Sequence, residues 1–287
     1  QFKINFDPVA NPEAVVQKDN VRFTVLTERL IRMEHSPSGE FEDHASMAIW
    51  YRNQPVPEFK AKVTDEKVVI KTKYLKMTCR IHPDGFTPTT LSVKVKDFDY
   101  TWHYGDHPYQ GGNLGGTYRT LDNAGGFVYP DPGLMSAKGG AVHDDSKTLV
   151  FNEESWVEPR VHPENTDLYY FAYGHDFATC QLDLTKIAGK TPMVPRYILG
   201  NWWSRYWSYT DQELVDLMQE FKNHDTPLSV CIVDMGWHVT ETGNTSTGWT
   251  GYTWNRDLFP DPEGFIEKLH DLDLKTALNL HPASGIH

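Results

Sequence analysis

The sequence predicts a mixed β and α/β fold: an N-terminal antiparallel β-sandwich followed by the first part of a (β/α)8 barrel that is incomplete within the 287 residues. Short runs of alternating apolar and polar residues fill the chain from Val21 to about Tyr170, as half-buried strands do. Near-continuously apolar runs alternating with amphipathic helices fill the remainder, as in a parallel sheet covered by helices. That remainder supplies about 95 residues and three strands, whereas a closed eight-stranded barrel needs about 250 residues. The Pro-punctuated stretch GKTPMVPRYILG marks the change of pattern and divides the chain into domains 1–192 and 193–287.

In the first domain the strand candidates are VRFTVLTERLIRMEH, KVVIKTKYLKMTCRI, LSVKVKDF, KTLVFN and DLYYFAYG. Alternation in VRFTV and LSVKV puts apolar side chains on one face and polar ones on the other. The glycine-rich GGNLGGTYRTLDNAGG, within residues 111–126, fits neither helix nor strand and reads as a loop of functional length.

In the second domain RYILGNWW reads as a buried strand. TDQELVDLMQEFKNH follows as a helix: Thr210 and Glu213 have capping-box spacing, and Leu214, Leu217, Met218 and Phe221 share one face. LSVCIVDM is the second strand. DPEGFIEKLHDL is the second helix, with Asp261 as N-cap, Pro262 at its first position, and Phe265, Leu269 and Leu272 inward. KTALNLHP is the third strand. A phosphate-binding glycine motif after the first strand would favour nucleotide chemistry; NWWSRYW stands there instead, which favours a barrel. Three parallel strands leave an open apolar edge, so a second polypeptide, or a segment outside these residues, is expected to complete the barrel.

Composition narrows the partners. With 27 basic against 39 acidic residues and a net charge of −12, no basic stripe offers itself to nucleic acid or an anionic membrane surface. No run approaches the roughly 20 apolar residues of a spanning helix, so no membrane partner is expected. Nine Trp suit surfaces that stack on sugar rings, although most Trp residues serve cores. Cys79, Cys180 and Cys231 lack disulfide or metal spacing and read as ordinary thiols. Gln1 is no initiator and no leader follows it, so a processed or trimmed start is expected. With the sequon at Asn244, this favours a secreted or secretory-pathway protein over a cytoplasmic one and otherwise leaves the compartment open.

Parallel barrels carry their active sites at the C-terminal ends of the strands, which selects Trp202–Trp207, Asp234–His238 and His281–Ser284. Asp234 follows CIV directly, where a carboxylate needs a partner. Pattern alone leaves open whether it closes a turn, pairs with Arg205 or binds a ligand. Trp202, Trp203 and Trp237 fit rim packing better than a ligand wall. HDDS at His143–Ser146 gathers one His and two carboxylates, but neighbours on a strand point to opposite faces, so no metal site is expected.

Seven segments in order, NLGGTYRTLD, GLMSAKGGAVHDDS, YGHDF, PRYILGNWWSRYWSY, CIVDMGWH, GWTGYTWNRDLFPDPEGF and ALNLHPASGI, resemble glycoside hydrolase family 31, from about Gly112 to His287. Members are mostly retaining α-glucosidases and α-xylosidases. The resemblance implies a sandwich, then a catalytic barrel whose mouth is reached by the loop 111–126. It implies that Asp234 hydrogen-bonds hydroxyls of the sugar at the cleavage subsite, and leaves Asp122 either to close a turn or to reach the substrate from the loop. It also gives Trp237 and Trp254 as stacking or pocket-wall residues, with Trp202 at the mouth. Gly236 departs from the family, which usually carries a second acidic residue there. The family's nucleophile follows the fourth barrel strand and its general acid the sixth, so no catalytic residue is expected in this chain. No cofactor and no metal are implied.

The expected function is therefore the N-terminal part of a retaining α-glycosidase, an α-glucosidase hydrolysing small α-linked glucosides by double displacement. The alternatives are an α-xylosidase, α-galactosidase or transglucosylase of the same family, or a non-catalytic carbohydrate-binding or regulatory subunit.

Overall fold

The computed structural model describes residues 4–116, 124–241, 243, 249 and 251–281. The chain divides into two compact units, Gln1–Thr191 and Pro192–His287.

In the first unit the strands are β1 (Val15–Lys18), β2 (Val21–Thr27), β3 (Leu30–His35), β4 (Lys60–Val63), β5 (Lys67–Lys71), β6 (Leu75–Arg80), β7 (Leu91–Val95) and β8 (Thr101–His103). Then come β9 (Ala141–Asp144), β10 (Val150–Phe151), β11 (Val157–Glu158), β12 (Thr166–Phe171) and the helix α1 (Phe177–Ala188). Two antiparallel sheets result, β1-β2-β3-β12-β9 and the meander β4-β5-β6-β7-β8, with β10 and β11 as a separate ribbon. Period-two alternation builds the core: Val21, Phe23 and Val25 of β2, Ile31 and Met33 of β3, and Leu168 and Tyr170 of β12 face one way. They form one apolar cluster with Val68 and Ile70 of β5, Met77 of β6 and Val93 of β7.

Two features depart from the sequence reading. The polar face of the first sheet is not half-exposed: every residue of β3 is buried, and Arg32 is 1% exposed. Charge pairing makes that burial tolerable. The Arg32 guanidinium donates to both oxygens of Asp167 at 2.8 and 2.7 Å, Arg160 donates to Asp167 at 3.1 Å and to Asp145 at 2.9 Å, and Arg22 clasps Glu34 at 2.8 and 2.9 Å. The second departure is α1, which carries no strong sequence pattern. Asp176 caps it by accepting from the Thr179 amide, and Cys180 and Ile187 pack with Tyr169, Phe171 and Tyr173 of the neighbouring strand and loop.

The second unit holds β13 (Trp202–Trp203), α2 (Asp211–Asn223), β14 (Val230–Val233), α3 (Pro262–Asp271) and β15 (Lys275–Leu278). The strands form one parallel sheet in the order β13-β14-β15, with Trp203 opposite Cys231 and Val233 opposite Leu278. The first strand is shorter than the apolar run suggests. Arg196–Leu199 winds into a 3₁₀ turn that ends at Gly200, leaving two residues to pair. Cys231 and Val233 face the helices, where Leu214, Met218, Phe265 and Leu269 complete the core. By alternation Ile232 and the following Asp234 face the other side of the sheet.

The capping box at α2 is formed in full: the Thr210 hydroxyl accepts from the Glu213 amide while the Glu213 carboxylate accepts from the Thr210 amide. Thr210→Ala is expected to cost about 1 kcal/mol of stability, measurable as a lower urea midpoint at constant m-value. The three thiols are free and buried; burial pushes Cys79 and Cys231 up to about 12 and Cys180 up to about 11. Among the described residues, no helix is long and apolar enough to cross a membrane.

Candidate functional site

Three polar residues follow the three parallel strands directly: Ser204 after β13, Asp234 after β14 and Asn279 after β15. Parallel register brings them together. Val233 is opposite Leu278, and the Asn279 amide continues the ladder by donating to the Val233 carbonyl at 3.0 Å. Their side chains meet on Asp234, where Asn279 Nδ2 donates to Oδ1 and the Ser204 hydroxyl donates to Oδ2 at 3.1 Å. Arg205 does not pair with Asp234; it donates to the Tyr209 hydroxyl at 3.1 Å and stacks over Trp207. Asp234 is half-buried, and Ser204 and Asn279, which hydrogen-bond to it, are both neutral. Its negative charge is thus held in one orientation without being cancelled, which suits a carboxylate that accepts hydroxyls.

Around this carboxylate the tryptophans divide by role. Trp237 is 2% exposed and belongs to the core; its Nε1 donates to the Asn279 carbonyl at 2.8 Å. This corrects the expectation of a stacking wall, because a ring enclosed on both faces has none to offer, and it gives Trp237 a part in holding Asn279. Trp254 is half-buried and meets Trp237 edge-on at 5.1 Å, where residues 237–239 pair with 253–255. Trp202 is 43% exposed, anchored by Nε1 to the Ile198 carbonyl at 3.0 Å. Trp249 approaches His238 at 6.3 Å and His281 at 5.9 Å between ring centres.

Gly236 adopts φ +68°, and an added Cβ would lie 3.0 Å from Leu258. An acidic residue there would require strained left-handed backbone and a shifted leucine, so this turn favours the glycine. Asp122 and Asn244 lie outside the described residues. In the part of the loop that is described, Asn113 accepts from the amides of Gly115 and Gly133 and donates to the Gly133 carbonyl.

At His143–Ser146 the carboxylate of Asp145 is engaged by Arg160, and His143 lies 3.6 Å from Asp145. Among the described residues no group of three His, Cys, Asp or Glu is placed to hold a metal.

Sequence reasoning singled out Asp234 but missed Ser204 and Asn279. Their signal is a short polar residue immediately after an apolar strand, legible once the three strands are known to be adjacent.

Residues 191–287 match the family model described as the glycosyl hydrolases family 31 TIM-barrel domain. An α-xylosidase of Saccharolobus solfataricus is 26% identical over 117 residues, covering 41% of this chain and 15% of that protein. The α-xylosidase XylQ of Lactiplantibacillus pentosus is 27% identical over 157 residues, covering 53% of this chain and 20% of that protein. Among solved structures, a family 31 α-xylosidase from a soil metagenome, complexed with xylose, superposes with a TM-score of 0.62 at 15% identity. That superposition covers 98% of this chain and 47% of the other, a likeness of fold. The aligned part is thus one fifth or less of the length of both curated relatives.

Proposed function

We propose that this chain belongs to glycoside hydrolase family 31 and is the N-terminal part of a retaining α-glycosidase acting on small α-linked glucosides, as the family-model match over residues 191–287 and the relatives above support. The carrying observation is the Ser204–Asp234–Asn279 cluster at the ends of three adjacent parallel strands, the end at which barrel enzymes bind substrate. On this reading the first unit is a sandwich domain and the second the opening of the catalytic barrel. The strands beyond β15 would supply the nucleophile and the general acid. The exposed Tyr197, Leu199, Tyr206 and Trp207 support it, being apolar groups in and beside the β13 segment that further barrel structure would cover.

Asp234 would accept two sugar hydroxyls, with its oxygens pre-aimed by Ser204 and Asn279 so that little orientational freedom is lost on binding. Retaining chemistry needs two carboxyl groups about 5–5.5 Å apart across the scissile bond, and Asp234, clamped by neutral donors, is read as a binding group only. Trp254 and Trp202 are the aromatic surfaces offered to the sugar; Asp122 remains the candidate from the loop.

Ser204→Ala is expected to raise KM or lower kcat/KM about tenfold, the worth of one hydrogen bond to a charged group, with the melting temperature held. The reading as a whole is tested by proton NMR of para-nitrophenyl α-glucoside and α-xyloside hydrolysis by the full polypeptide or complex that contains these residues. Release of the α-anomer before mutarotation supports a retaining α-glycosidase; initial β-anomer or no release refutes it.

A second reading, an α-xylosidase, is favoured by the names of the relatives given above. Xylose lacks the hydroxymethyl group of glucose, so a subsite closed at that position would prefer it. Comparison of kcat/KM on the para-nitrophenyl α-xyloside and α-glucoside decides between them.

A further inference from the structure

We propose that the outward face of the sheet β4-β5-β6-β7-β8 binds an acidic polysaccharide, a linear glycan that carries carboxylates. Along the sequence the cations are scattered and form no basic stripe; strand register makes one. Lys60 lies opposite Lys71, Lys71 opposite Lys76, and Lys76 opposite Lys94, so four exposed lysines form one row across four adjacent strands. With strands about 4.8 Å apart the row is roughly 14 Å long. Lys62, Lys67 and Arg80 lie on the same face by alternation, the last two directly opposite each other. These five strands contain no aspartate or glutamate. Asp65, in the turn between β4 and β5, pairs with Lys18 at 3.5 Å, and none of the seven cations is in an ion pair among the described residues.

Such a row costs stability, because like charges directly opposite each other on a sheet repel. Edge protection accounts for Lys60 and Lys62, since lysine on an edge strand blocks pairing with another chain; β5, β6 and β7 are interior strands and need no such protection. An ordinary solvated face mixes both signs. A row of one sign on interior strands, in a chain of net charge −12, therefore calls for an anionic ligand, which the rest of the chain repels and this face attracts.

Three features select the class of anion. At its Lys60–Lys71 end the row opens into a cleft of ≈ 390 Å³, where Lys73 and Lys96 join it and Phe59 forms part of the wall. Lys96 is held there by donating from Nζ to the Thr72 carbonyl, and Glu28 and Glu58 line the same cleft as acceptors for hydroxyl groups. A flat lipid surface touches the row but does not enter the cleft, whereas one ring of a glycan fills it. Next to the lysines runs a row with hydroxyls, Thr78 opposite Ser92, which sugar hydroxyls can both donate to and accept from. Single-stranded nucleic acid stacks its bases on aromatic platforms, and the outward positions of these strands hold no Phe, Tyr or Trp. The site is argued from the first unit alone and does not rest on the glycosidase reading.

The test is binding of an oligogalacturonate by isothermal titration, with the full polypeptide or complex that contains these residues. The expected result is an affinity that falls steeply with added salt. Lys71→Glu combined with Lys76→Glu is expected to weaken binding about tenfold or more and to flatten the salt dependence. The melting temperature of that variant should hold or rise, because the row then contains opposite charges. Lys71→Gln combined with Lys76→Gln should weaken binding by less. Absence of binding at low salt overturns the proposal, as does unchanged affinity in the Lys71→Glu, Lys76→Glu protein. Binding to phosphatidylserine vesicles or to duplex DNA that is as tight, at matched charge concentration, overturns it as well. Turnover of an aryl α-glycoside is expected to match the wild type in both variants, so a failure here is distinct from a failure of the glycosidase reading.

Discussion

Asp234→Ala is expected to abolish most turnover, lowering kcat/KM on an aryl α-glucoside by about 10²–10⁴-fold while the melting temperature stays close to that of the wild type. The size follows from the two charge-assisted hydrogen bonds to sugar hydroxyls proposed for Asp234, each worth about 1.5–3 kcal/mol, at about 1.4 kcal/mol per factor of ten. The asymmetry between activity and stability follows from position. Asp234 is half-buried beyond the end of β14 and its partners are a serine and an asparagine, so its removal strands no buried charge. Asp234→Asn keeps the shape and replaces one acceptor by a donor, and its loss should lie between wild type and alanine. Steady-state kinetics beside a thermal melt measure both halves of the statement; activity within a few fold of wild type would remove Asp234 from the substrate site.

Asp167→Ala carries the largest expected effect on stability. Asp167 accepts both arms of Arg32 and one of Arg160 in the buried face of the first sheet, so truncation leaves two enclosed guanidinium groups short of a counter-charge. Breaking such a network typically costs about 3–5 kcal/mol, enough to halve the stability of an ordinary domain. The same network sets the acid limit. Desolvation works to raise the Asp167 carboxyl, but the charges of Arg32, Arg52 and Arg160 outweigh it and hold the group well below the usual carboxylate range. A folded-state value below the unfolded one means that the contribution is complete above the ordinary aspartate range and is lost as pH falls below it. Urea midpoints are therefore expected to fall between about pH 4 and pH 2 in the wild type, with a shallower fall over that window in Asp167→Ala.

The legible parts of this chain were those whose pattern is local. Thr210 with Glu213 announced α2, and Asp261 with Pro262 announced α3. The alternation in VRFTV and LSVKV announced two strands whose apolar faces share one core. What escaped were features decided by distant residues. The polar side of β3 looked solvent-facing because Arg32 and Glu34 are charged; Asp167, 135 residues from Arg32, makes burial affordable. Tertiary packing on Tyr169 and Phe171 stabilises α1, where the sequence shows no sharp stripe. In the site, Asp234 stood out as a carboxylate ending an apolar run. Ser204 and Asn279 did not, because their meaning depends on two other strands lying at its sides. Trp237 misled for the related reason that its indole N–H finds the Asn279 carbonyl inside the core, a partner no spacing reveals.

On the proposed reading these residues bind and position the sugar, while the covalent chemistry belongs to carboxylates elsewhere in the polypeptide or its complex. Peptide mapping after trapping with a fluoroglycosyl fluoride, which accumulates the glycosyl-enzyme intermediate of retaining enzymes, tests it directly. A stoichiometric label on an aspartate outside residues 1–287 is expected. A label on Asp234, or on any other carboxylate of these residues, would contradict it.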